Sequence, residues 1–142
     1  VTTVRPRYLV DHSTMSHYRT SAQVEQTIDA LAITGALCAS AVTMDEARFS
    51  ARNAQDLAYI TELYGSVMHW LPFDDVAEAN VRRIRTALWK IGAGRGAQTT
   101  DVHIAAVALT HDATVVHNDT DFQTISRAIP DFKQQRVKPE HS

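Results

Sequence analysis

Residues 99–122, TTDVHIAAVALTHDATVVHNDTDF, constrain what this chain can fold into more than any other stretch. Ile104, Ala105, Ala108 and Leu109 recur at helical spacing, His111-Asp112 breaks the run, and Thr114-Val115-Val116 is short and β-branched. The stretch reads as a helix, a turn, a strand and an acidic strand end, Asn118-Asp119-Thr120-Asp121-Phe122. Asp101 shares the i, i+3, i+4, i+7 stripe of Ile104, Ala105 and Ala108, so its carboxylate belongs to the packing face. An unpaired charge there is costly. Asp101 is either a dipole-complementing acid beside an N-cap at Thr99 or Thr100, or it faces a cation, an arginine or a metal ion.

The remaining chain repeats the alternation. Apolar runs at 8–10, 36–40 and 67–71 read as strands, and 132–137 as a lysine-tipped edge strand. Ser13 is a candidate cap for a turn at 14–19. Helices are expected at 24–33, closed by Gly35, from Thr43 onward, at 54–64 after an Asn53 cap, at 75–91 after Asp74, and at 123–129 before Pro130. The 54–64 stripe is Leu57, Ile60, Thr61 and Tyr64; that of 75–91 is Val76, Ala77, Val81, Ile84, Leu88 and Ile91. This order predicts a three-layer α/β/α sandwich with a mainly parallel sheet of four to five strands. At 142 residues and 44% hydrophobic composition, one domain spanning 1–142 is expected.

Acids fall at comparable places in this order. Asp11 follows the first strand, and Glu46 shares a helix face with Val42, Phe49 and Ser50. Asp101 opens the helix before the fourth strand, and Asp119 and Asp121 follow that strand. In a parallel sheet these converge at the carboxyl edge, where open α/β folds bind ligands. Converging carboxylates repel and need a cation, and an all-oxygen set suits Mg²⁺ or Mn²⁺ better than zinc. His12, His103 and His117 lie near the acids in sequence, but no paired-histidine metal spacing exists, and His103 points away from Asp101's side of the helix.

A net charge of −2 does not mark a nucleic-acid binder. Arg82, Arg83, Arg85, Lys90 and Arg95 nevertheless cluster, as a solvated helix face or as phosphate contacts. The glycines of 92–97, GAGRGA, follow a helix rather than a first strand, so they read as a flexible loop delivering Asp101, open to close backbone approach, and not as a dinucleotide fingerprint. Cys38 is alone and sits in an apolar run, which fits a reducing cytoplasm. No transmembrane run or signal segment is evident, so a soluble, unprocessed cytoplasmic protein is expected.

Four segments together resemble the ordered motifs of PIN-domain nucleases, and in size and motif order the VapC-type toxins of bacterial toxin–antitoxin pairs. They are Tyr8-Leu-Val-Asp11-His-Ser13, Val42-Thr-Met-Asp-Glu46, Thr100-Asp101-Val-His-Ile104-Ala-Ala106, and Val116-His-Asn-Asp119-Thr-Asp121-Phe122. The resemblance spans residues 7–137, with His12 where threonine is more usual. It implies a Mg²⁺- or Mn²⁺-dependent endoribonuclease acting on structured RNA, tRNA or rRNA. Asp11, Glu46, Asp101 and Asp119 would hold one or two ions, with Asp121 a further candidate, and Ser13 and Asn118 would support them. The resemblance also implies a homodimer and a VapB-type antitoxin. The rival is a PIN-fold RNA- or protein-binding module without catalysis, whose expected mark, loss of an acid, is absent.

Overall fold

The computed structural model describes residues 5–140. Among them, five strands form one sheet: β1 (Arg7–Val10), β2 (Ala36–Ala39), β3 (His69–Trp70), β4 (Ala113–His117) and β5 (Lys133–Arg136). Their order is β3-β2-β1-β4-β5, and every pairing is parallel. β1 aligns Leu9 with Val115 and Val10 with Val116, so the two central strands end together.

The connections are helical: α1 (His12–Met15), α2 (Ala22–Thr34), α3 (Ala41–Phe49), α4 (Ala54–Val67), α5 (Asp75–Lys90), α6 (Thr99–Thr110) and α7 (Thr120–Ala128). Strand alternation splits the core into two faces. Leu9, Cys38 and Val115 pack with Ile84 and Leu88 of α5, Ile104 of α6, and Phe122 and Ile125 of α7. On the other face Val10, Leu37 and Val116 meet Val24 and Ile28 of α2, while Ala39, Met44, Ala47 and Tyr64 form an adjoining cluster. This is the expected three-layer α/β/α sandwich. No helix among the described residues is long and apolar enough to cross a membrane.

Several local expectations are revised. The third strand is two residues long, because Val67 completes α4. Gly35 ends α2 at φ −144°, without the left-handed turn; a Cβ there would lie 2.6 Å from the Pro6 carbonyl and 2.5 Å from the Tyr8 ring. Phe49 is 92% exposed, and α3 buries Thr43, Met44 and Ala47 instead. Val76 and Ile91 of the expected α5 stripe are exposed, as are Leu57 and Thr61 of α4, where only Tyr64 is fully buried.

The 92–97 loop is close-packed at Gly94 and Gly96 and open at Gly92. Gly92 adopts φ +76° to terminate α5, the left-handed position glycine favours. At Gly94 a Cβ would meet the Trp89 indole at 2.2 Å, so that side chain already occupies the approach.

Candidate metal centre

The acids gather where β1 and β4 end. Asp11 leaves β1 and caps α1, its carboxylate accepting the Ser13 N–H, so the cap of this turn is Asp11 and not Ser13. The Ser13 hydroxyl donates to the same Asp11 Oδ2 and accepts the Asn118 N–H at 2.9 Å. One serine thus pins the end of β1 to the chain leaving β4. Asn118 turns its side-chain oxygen to Arg136 Nε at 3.0 Å, so its contribution beside the acids is made by the main chain.

Asp119 is the N-cap of α7 and accepts the Asp121 N–H at 2.9 Å. The helix therefore starts at Thr120, three residues earlier than the spacing predicts, because the acidic strand end is itself the cap. Asp101 lies in the first turn of α6 and is 6% exposed. Neither Thr99 nor Thr100 caps this helix. Gln98 occupies the N-cap without a side-chain bond, and its N–H instead donates to Asp121 Oδ2 at 2.9 Å.

One carboxylate oxygen from each of Asp101, Asp119 and Asp121 lies within 4.8 Å of the others. Opposite oxygens on a Mg²⁺ ion sit about 4 Å apart. Asp11 and Glu46 adjoin this triad electrostatically. Burial, and then the charges of Asp11 and Asp119, push Glu46 up to about 7. Burial raises Asp11, against the opposing pull of its Ser13 hydrogen bonds, and Asp119 adds to the rise. Asp101 is raised most strongly, by burial, by a hydrogen bond with Asp121, and by the charge of Asp119. None of the five acids forms a salt bridge among the described residues.

Buried oxygens at the site remain without partners: Asp11 Oδ1 and Glu46 Oε1 accept nothing. Such atoms are costly unless something satisfies them. A hard divalent cation fits an all-carboxylate donor set, and it would satisfy both the orphaned oxygens and the mutual repulsion.

Histidines play other parts. His103 stacks on Phe73, with its Nδ1 2.8 Å from the Thr99 carbonyl oxygen, away from the acids. His12 is half-buried, and burial lowers its pKa. His117, the last residue of β4, is fully buried and its pKa is lowered, chiefly by burial. Its ring accepts the Asp119 N–H at Nδ1, a contact the sequence signals only as a histidine closing an apolar strand just before an acid.

The basic cluster on α5 is largely engaged. Arg82 pairs with Glu78, Arg83 grips Asp131 through two hydrogen bonds, and Arg85 donates to the Ala97 carbonyl. Lys90 and Arg95 are exposed. Beside the acids, His12, Val42, Glu46, Arg48, Phe49 and Thr100 border an open groove of about 860 Å³.

Solved structures share this architecture at low identity. VapBC2 from Rickettsia felis, bound to a DNA fragment from its promoter, aligns with a TM-score of 0.78 at 15% identity, covering 93% of this chain and 99% of that one. VapBC-1 from nontypeable Haemophilus influenzae aligns at 0.73 and 21% identity, covering 92% and 97%. VapBC-5 from Mycobacterium tuberculosis, a member of the VapBC family of toxin–antitoxin systems, aligns at 0.65 and 24%, covering 92% and 98%. No curated protein sequence matches the chain. The family model described as the PIN domain matches residues 8–128, which include all five acids, and the chain belongs to the PIN-domain family.

Proposed function

We propose that this chain is a Mg²⁺- or Mn²⁺-dependent endoribonuclease, the VapC-type toxin of a toxin–antitoxin pair, acting as one domain over residues 1–142. The observation that carries the reading is a set of buried and half-buried, mutually repelling carboxylates with orphaned oxygens and no salt bridge among the described residues to answer them. Asp11, Glu46, Asp101 and Asp119 would hold one or two ions. Asp121 would lend an oxygen while anchoring the start of α6. When bound, the cation lowers the pKa of a water and stabilises charge on the attacked phosphate and the leaving oxygen.

The protein's own groups hold the frame. Ser13 fixes Asp11 Oδ2 and leaves Oδ1 free to bind. Glu46, on α3, lines the groove together with Thr100 of α6. A single-stranded or looped segment of tRNA or rRNA entering that groove would bring a phosphate to the acids. Lys90 and Arg95 are the members of the basic cluster available to more distant phosphates. Phe49, exposed at the rim, offers an anchor for a VapB-type antitoxin that would cover the groove. Val76, Trp89 and Ile91, exposed along and just beyond α5, suit a homodimer contact.

The test is cleavage of total bacterial RNA by antitoxin-free protein with Mn²⁺, with chelator, and with Asp101→Asn. The expected result is discrete, metal-dependent cutting that leaves 5′-phosphate and 3′-hydroxyl ends and is absent from the variant. A cyclic phosphate product would oppose the mechanism. Absence of both cutting and Mn²⁺ binding would favour a non-catalytic PIN-fold binding module.

A further inference from the structure

Three successive residues leaving β4 are each tied at the main chain. The His117 carbonyl accepts the Val137 N–H at 2.7 Å, the Asn118 N–H donates to Ser13 Oγ, and the Asp119 N–H donates to Nδ1 of the His117 ring at 3.0 Å. The last tie is a side chain reaching forward to the peptide of the acid two residues on. It fixes the ring's tautomer as well. Because Asp119 supplies the hydrogen, Nδ1 must carry the lone pair, so Nε2 bears the proton and donates it to Gln134 Oε1 at 2.6 Å. Gln134 lies on β5, in register with Val115 and outside the acid cluster. Phe122 closes the ring's surroundings at a centroid distance of 4.8 Å.

We infer that His117 is a positioning residue for Asp119: its Nδ1 is the acceptor that sets the peptide from which the Asp119 carboxylate projects, and Gln134 holds the ring in place by accepting from Nε2. The inference rests on the metal-centre reading above. A histidine that merely filled the core would need its volume and two satisfied nitrogens, but neither partner would need to be the main chain of an acid. Asp119 stands at the N-cap of α7, where the direction of the carboxylate depends on this one peptide. Partners one step removed from a metal typically alter affinity about 10- to 100-fold when replaced.

The two nitrogens can be separated by substitution. His117→Asn keeps a polar acceptor near the Nδ1 position and drops the Nε2 end; His117→Gln places its amide near Nε2 and leaves the Asp119 N–H without its acceptor. Gln134→Leu, on the half-exposed edge strand, keeps the imidazole but removes the acceptor that anchors its Nε2 side. Mn²⁺ is titrated calorimetrically into the metal-stripped full chain of each variant, with thermal melting measured alongside.

The expected result is that His117→Asn binds Mn²⁺ within about threefold of the parent, whereas His117→Gln and Gln134→Leu bind about 10- to 100-fold more weakly. Cleavage by the weakened variants should recover as Mn²⁺ is raised. Equal affinity in all variants overturns the inference, and so does equal weakening of His117→Asn and His117→Gln in step with melting temperature, which would mark a packing role only. Mn²⁺ binding in the parent that Asp101→Asn abolishes keeps the metal-centre reading in place even then. A parent that takes up no Mn²⁺ overturns both.

Discussion

Asp121 Oδ2 accepts the Gln98 N–H at 2.9 Å, so an acid that follows β4 holds the first turn of the helix that carries Asp101. The carboxylate thereby satisfies the N–H of the N-cap residue, as the N3 glutamate of a capping box does from within a helix, and it ties two site-bearing segments together. Asp121→Ala should destabilise the fold by about 1–2 kcal/mol, in the range of a lost cap, while Asp121→Asn, which keeps an acceptor oxygen, should cost well under half of that. Urea denaturation of the metal-free variants measures the difference. Equal losses in the two would mean that charge, not the hydrogen bond, is what α6 requires.

The acid cluster gives the metal-free protein an unusual pH response. Glu46 is raised from 4.5 to about 7, and Asp11 and Asp101 move the same way. A carboxyl whose folded pKa lies above its unfolded value holds its proton more tightly in the native state, so its contribution is lost as pH rises through that window. Between about pH 4.5 and 7 the Glu46 contribution should fall. Melting temperature measured with chelator across this range should slope less steeply downward, or more upward, in Glu46→Gln than in the parent, and saturating Mn²⁺ should erase the difference. Identical slopes with and without Glu46 would contradict the placement of this acid among like charges.

A side chain at 101 that never has to take up a proton should also relieve the metal-free fold, because burial and the neighbouring acids force the Asp101 carboxyl toward its protonated form. Asp101→Asn is expected to raise the chelated melting temperature by about 3–6 °C, roughly 1–2 kcal/mol for a chain of this size, and to abolish the further rise that Mn²⁺ gives the parent. A lower melting temperature in chelator would show that Asp101 is satisfied by its neighbours without a cation.

Gly35→Ala tests the bottom of the sheet. The added methyl would meet the Pro6 carbonyl at 2.6 Å, and backbone there is held by the Ala36 N–H donating to the same oxygen. A loss of about 1–3 kcal/mol is expected from denaturation midpoints. A neutral result would mean that β1 and the end of α2 can separate without cost.

RNA contacts predict a division within the basic cluster. Replacing Lys90 and Arg95 by Ala should lower the slope of log affinity against log salt by up to about 0.7–0.9 per contact, whereas replacing Arg82 and Arg83, already paired with Glu78 and Asp131, should change it little. Filter binding with a catalytically silent Asp101→Asn background gives the slopes. The opposite pattern would place the RNA along the middle of α5.

The sequence made the sandwich legible because its strands are short, apolar and regularly separated, and because acids repeatedly follow them. Asp101 illustrates both the success and its limit. Its burial was readable from the stripe it shares with Ile104 and Ala108, yet α6 also buries Val102, Ala106 and Val107, so no single face distinguishes it. Phe49 misleads for a different reason: spacing identifies a helical stripe but not which side of α3 meets the sheet, and Met44 and Ala47 take that place. Thr99 and Thr100 looked like caps by residue type, but the bond that matters comes from Asp121, more than twenty positions away, which no local pattern encodes. His117 and Gln134 were hidden similarly, since their pairing exists only once β5 lies beside β4.

The strand order has a consequence for synthesis. Asp11 and Glu46 are made early, as is β2 on one side of β1, but β4, which seats on the other side, begins only at Ala113, and the cap acid comes after it at Asp119. A nascent chain that has emerged only through α5 carries two of the acids but neither Asp101 nor the acids that follow β4. Truncated products and stalled translation intermediates that stop short of Asp119 and Asp121 therefore lack the assembled acid cluster.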